Sequence, residues 1–70
     1  MIRLVTTSKR LGVSQAEIAR RTGLHNTTVS NIYNERAKAW PKQAEKISEA
    51  MKSLGWDGEG DLFEVISNEE

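Results

Sequence analysis

Apolar side chains recur at helical spacing in several places along this chain, and turn-forming residues separate them. In the first, Leu4 and Leu11, with Val5 and Ser8 beside them, share one helix face across Arg3 to Leu11. The opening IRLVTT is β-branched enough to begin as a strand. Gly12, however, is a good left-handed C-cap, and a short helix ending there is the favoured reading. A second helix starts at Ser14. Ser14 and Glu17 spell S-x-x-E, the capping box in which each side chain is expected to satisfy a free first-turn amide. Ile18 and Ala19 then face inward, Arg20 and Arg21 outward, and Gly23 ends the helix. The third helix runs from about Asn26 to Asn34 on a narrow apolar stripe of Val29, Ile32 and Tyr33, with His25 or Asn26 as its cap. After a basic connection, ERAKA, Pro41 suits the first turn of a fourth helix. Its stripe is Ala44, Ile47, Ala50, Met51 and Leu54, and Gly55 ends it. WDGEG reads as a loop. Asp61 to Ile66 fits a short last helix with Asp61 and Glu64 as a second capping pair, or equally a strand, given Phe63, Val65 and Ile66. SNEE reads as a frayed tail.

The stretch QAEIARRTGLHNTTVSNIYN, Gln15 to Asn34, holds two short helices around one glycine, which is the pattern of a helix-turn-helix. Ala19 is small where the helices cross, Gly23 can take positive φ in a tight turn, and Ile18, Leu24, Val29 and Ile32 supply a shared core. The outer face of the second helix carries Asn26, Thr27, Thr28, Ser30 and Asn31. Asparagine and threonine are poor helix formers, so a segment selected only for stability would avoid them. Their chemistry suits a different task. Asparagine can pair bidentately with adenine, and threonine offers a hydroxyl together with a methyl for the thymine C5-methyl group.

Composition narrows the options. Seventy residues make one domain, 1–70, and no separate ligand-sensing domain is expected. There is no cysteine and one histidine, so neither a disulfide framework nor a multi-histidine metal site is available. No apolar run is long enough to span a bilayer, and the N-terminus lacks a signal-peptide h-region. A reducing, cytoplasmic setting is expected, with no membrane partner, cofactor or small-molecule ligand. Net charge is zero, which taken alone argues against nucleic acid. The halves differ, however: residues 1–42 hold eight basic and two acidic side chains, and residues 43–70 hold two basic and eight acidic. A cationic end attracts a polyanion, and an acidic end points away from it.

The stretch resembles the helix-turn-helix of phage repressor and Cro-type regulators, the XRE-like, lambda-repressor-like proteins. It matches them at Gln15, Ala19, Gly23, Leu24, Val29, Ile32 and Asn34. WPKQAEKISEAMKSLG is similar to the core helix that follows in that family, and the likeness extends over roughly residues 3–66. Trp40-Pro41-Lys42 is also similar, more loosely, to small regulators of transposing phages. The resemblance implies an all-α fold, a small four- to five-helix bundle with a central helix-turn-helix. It implies sequence-specific binding of double-stranded DNA, in which Asn26, Thr27, Thr28 and Asn31 meet bases, Asn31 with a phosphate as its other option. Gln15, His25, Asn34, Arg36 and Lys38 meet phosphates, and Gln15 also braces Asn26. It implies a homodimer, at least on DNA, and a roughly palindromic operator. The family often has glycine where Glu35 stands, after Asn34.

Plainer readings stand beside these. The motif can be an ordinary helical hairpin, and Asn26, Thr27 and Thr28 can be simple capping residues. Lys9 and Arg10 are balanced between a solvated face and phosphate contact. Trp40 and Trp56 are expected to be core or lid residues rather than interface aromatics. Leu62, Phe63, Val65 and Ile66 are expected to close the core, with a dimer seam beside it. A different function class is a small protein-interaction module, an antitoxin-like adaptor that uses the acidic C-terminal segment. Catalysis is not expected, because the chain offers no nucleophile–base or ligand spacing and is small for a conventional cleft.

Overall fold

Leu4, Val5 and Ser8 do share a buried helix face. In the computed structural model, which describes residues 1–58 and 60–66, the first helix, α1, spans Arg3–Leu11. Three more follow: α2 at Gln15–Thr22, α3 at Asn26–Tyr33 and α4 at Pro41–Ser53. Gly12 caps α1 with φ +72°. The fold is all-α among the described residues, at the four-helix end of the expected range. The frayed tail assigned to residues 67–70 lies outside the described residues, as does Glu59 of the WDGEG loop.

The segment from Asp61 to Ile66 is neither the helix nor the strand allowed for it. It forms a turn and one isolated antiparallel bridge, Val65 to Ile2. Its carbonyls have a specific task. The N-cap of α1 is Ile2, which has no side-chain acceptor, so the first amides of that helix lack partners. Arg3 N–H donates to the Glu64 carbonyl at 2.9 Å and Leu4 N–H to the Leu62 carbonyl at 2.7 Å. Ile66 N–H returns a bond to the Met1 carbonyl at 2.8 Å. Asp61 and Glu64 therefore do not form a capping pair. The Asp61 carboxylate accepts from Phe63 N–H at 3.0 Å, and Glu64 pairs with Arg3 at 2.7 Å. Leu62 is buried and closes the core, whereas Val65 is exposed and does not.

The core gathers Leu4, Val5, Ile18, Ala19, Val29, Ile32, Ile47, Met51, Trp56 and Leu62. Helix α2 packs against both α3 and α4. The tryptophans part company: Trp56 is buried at 8% exposure, but Trp40 stands 72% exposed, against the expected core or lid role. Trp40 is the N-cap of α4. Its side chain leaves the fold there because the first turn of α4 is itself solvent-facing at Pro41 and Lys42.

A buried polar joint ties α1 to α3. The Ser8 hydroxyl lies 2.8 Å from the Leu4 carbonyl, 3.1 Å from that of Val5, and 2.8 Å from the Tyr33 hydroxyl. Every polar atom of this joint is satisfied, as burial demands.

Candidate nucleic-acid interface

The position of α3 is fixed from both ends. At its start, α2 must stop and the chain must turn within three residues. Gly23 does this with φ +78°, a left-handed conformation that a side chain disfavours. Its N–H bonds the Ala19 carbonyl at 2.9 Å. Thr22, buried beside it, accepts from Leu24 N–H at 3.3 Å and donates to the Ile18 carbonyl at 2.8 Å. His25 is the N-cap of α3, but its side chain makes no capping bond. At the far end Glu35 takes φ +63°, the conformation for which glycine is usual. Arg36 N–H reaches back to the Asn31 carbonyl at 2.7 Å and Glu35 N–H to that of Ile32 at 3.1 Å. These two bonds form a Schellman motif, so the glutamate keeps the turn that a glycine gives elsewhere.

Val29 and Ile32 are buried beneath α3, with Tyr33 half-buried. At about 100° per residue, Asn26, Thr27, Ser30, Asn31 and Asn34 fall on one outward arc, and Thr28 lies at its edge. Asn26 and Thr27 are exposed, whereas Thr28, Ser30 and Asn31 are half-buried. A shallow, open depression is lined by Gln15, Ala16, Asn26, Thr27, Ser30, Asn31 and Arg36. The start of α2, the face of α3 and the loop after it thus share one surface. Five of the residues singled out from sequence meet there: Gln15, Asn26, Thr27, Asn31 and Arg36.

The other four lie around it. His25 is exposed on a neighbouring hollow with Ala16, Arg20, Leu24 and Asn26. Thr28 sits at the edge of the arc. The Asn34 amide nitrogen is already engaged, donating to the Ser30 carbonyl at 2.9 Å and to its hydroxyl at 3.3 Å. Lys38 lines a separate, more apolar depression with Ile2, Phe63 and Val65. Ala16 also belongs to the shared surface and escaped the sequence reading. Its signal was its place beside Gln15 in the first turn of α2, where a methyl leaves room for a partner.

Charge is distributed unevenly over this region. Glu17 does not complete the capping box at Ser14. The Ser14 hydroxyl accepts from Glu17 N–H at 3.1 Å, but the Glu17 carboxylate pairs instead with Arg20 and with Arg21, the latter at 2.7 Å. The hydrogen bond from Arg21, with further attraction from Arg20, holds the Glu17 carboxyl below the usual carboxylate range. A depressed folded-state pKa stabilises above the unfolded value and is lost as pH falls through the folded one. Glu17→Gln should therefore lower Tm slightly at neutral pH, and the gap to the parent should close on acidification, as thermal melts across the carboxylate range will show. Arg20 and Arg21 are thus partly neutralised. Arg36 and Lys38 form no ion pair among the described residues, and Glu35 is engaged 3.3 Å from the Met1 amino nitrogen.

A family model described as helix-turn-helix matches residues 9–56, more than half of the chain. The chain belongs to the helix-turn-helix family. Within it, this helix-turn-helix protein is XRE-like, a DNA-binding transcription regulator of a family that is regulatory rather than enzymatic. The matched span runs from the end of α1 to the buried Trp56 and so includes α2, the turn, α3 and α4. No curated protein and no solved structure matches this helix-turn-helix chain. Among its described residues no group of His, Asp and Glu side chains could hold a metal ion, and no helix is long and apolar enough to cross a membrane.

Proposed function

We propose that the chain acts as a single cytoplasmic DNA-binding domain that reads the major groove with α3, in the manner of a phage repressor or Cro-like switch. The observation that carries this reading is the outward arc of Asn26, Thr27, Ser30 and Asn31, which adjoins Gln15 and Arg36 on one open surface. The described C-terminal segment does not cover that surface, since it is bonded along the start of α1. In this reading Asn26, Thr27 and Asn31 meet base edges, and Thr28 meets one at the margin. Gln15, at the start of α2, donates to a phosphate and braces Asn26. His25, Arg36 and Lys38 flank the backbone. Asn34 donates to a phosphate once its carboxamide nitrogen leaves the Ser30 carbonyl and hydroxyl that it bonds in the free chain. The first-turn amides of α3, which have no side-chain cap, favour an anion there.

A second copy on the same duplex would place its α3 about 34 Å away, one helical turn along, and a pseudo-palindromic operator follows from that symmetry. The adaptor alternative finds less support. On α4 the exposed Glu45 and Glu49 are interleaved with Lys46 and Lys52, and Glu64 is engaged by Arg3.

Fluorescence anisotropy of labelled duplexes across a salt series tests the proposal. Affinity should fall steeply from low to moderate salt, as it does when several phosphates are neutralised. Arg36→Ala should weaken palindromic and random duplexes alike and reduce the salt slope by about one. Binding that ignores both salt and sequence would contradict the assignment.

A further inference from the structure

Two large apolar side chains stand exposed among the described residues, Trp40 at 72% and Val65 at 69%. Val65 belongs to the bridge with Ile2. Trp40 caps α4 through its backbone, but its ring serves no such end. Its backbone is held firmly, because its N–H donates to the Gln43 side-chain oxygen at 2.9 Å and Pro41 fixes the next φ. The indole N–H, a donor only, has no acceptor among the described residues. The surroundings are one-signed: RAKAWPKQA, residues 36–44, contains Arg36, Lys38 and Lys42 and no acidic residue. All three cations are exposed, and none forms an ion pair among the described residues.

Such a strip does not resemble the centre of a protein-binding interface, which is depleted of lysine. A polyanion fits it. Trp40 lies four residues from Arg36, so their Cα atoms are within about 14 Å of each other. Phosphates recur at about 3.4 Å of axial rise along each strand. A strip of that length spans a few phosphates of one strand, and it begins at Arg36, which lies on the surface that α3 presents. We infer that Trp40 is a contact to the DNA backbone: its ring packs on a deoxyribose and its N–H donates to the adjoining phosphate, while Lys38 and Lys42 meet neighbouring phosphates. This inference rests on the DNA-reading role of α3 and adds a sequence-independent apolar anchor to it.

Acrylamide quenching of tryptophan fluorescence in the full chain tests it, with and without a duplex of mixed sequence at low salt. Trp56 is buried, so the quenchable emission belongs to Trp40. The duplex should shield that emission. Trp40→Ala should weaken binding to every duplex about five- to tenfold, the lower range for one aromatic contact, and leave the salt slope unchanged. Lys42→Ala should reduce the slope by about one, and Trp40→Phe should fall between Trp40→Ala and the parent. If the duplex binds by anisotropy while Trp40 stays equally quenchable and Trp40→Ala binds like the parent, this inference is overturned and the role of α3 stands. If raising protein concentration shields Trp40 without DNA, the ring belongs to a self-association surface and the inference also fails. If no duplex binds, the role of α3 fails and takes this contact with it.

Discussion

Ile18→Ala should lower the melting temperature by roughly 10–30 °C. Ile18 is fully buried in α2, the helix that packs on both α3 and α4. Truncating a buried isoleucine to alanine costs about 2–5 kcal/mol, through lost transfer energy and the cavity left behind. A domain of this size has a total stability of only about 4–10 kcal/mol, and each kcal/mol shifts Tm by roughly 4–8 °C. The loss is thus a large share of the whole. Neighbouring Ala19 and Thr22 leave little scope for the site to collapse, since both are buried and Thr22 is committed to the turn by its hydrogen bonds. Thermal denaturation followed by circular dichroism measures the effect. A change of only a degree or two would mean that α2 is not the helix on which α3 depends. Below its melting temperature the variant should keep its DNA preference, because no residue of the reading face has changed.

Asn26→Ala should do the opposite. Asn26 is the first residue of α3, is exposed, and follows rather than forms the N-cap. Its loss should leave the stability within about 0.5 kcal/mol of the parent, as for surface positions away from special features. On a preferred duplex the expected loss is about 1–3 kcal/mol, the worth of a bidentate asparagine–adenine pair, or roughly 5- to 150-fold in affinity. On random DNA the loss should be far smaller, because phosphate contacts carry that binding. Anisotropy titrations of the variant against both duplexes separate the two. Equal losses on all sequences would mean that Asn26 reads no base.

These two substitutions separate what holds the surface from what the surface does, and the sequence declared both to different degrees. The hairpin was legible because local signals agreed with the fold: Ser14 before the apolar run, Gly23 between the helices, and Val29 and Ile32 three residues apart. The surface proposed to read DNA drew notice for a related reason, since Asn26, Thr27 and Asn31 contribute little to helix stability and stood out against the pattern. The last segment was not legible. Leu62 and Glu64 act through main-chain carbonyls that cap α1, and backbone acceptors leave no mark on side-chain identity. Glu17 misled for another reason. The residue fits a capping box, yet Arg20 and Arg21 at i+3 and i+4 compete for the same carboxylate and win it. Trp40 misled because a large aromatic in a small domain is ordinarily core, and only the helix start at Pro41 turns it outward. Ala16 was missed because a single methyl carries no chemistry of its own until Gln15 and Asn26 are seen on either side of it.

Selecting duplexes from a random pool, once with the parent chain and once with Asn26→Ala, and sequencing what each retains tests the reading face most directly. The parent should enrich two like half-sites about one helical turn apart, and the variant should lose its preference at one matching position in each half. A parent pool as random as its input at every salt concentration, or identical motifs for both proteins, would contradict recognition by α3.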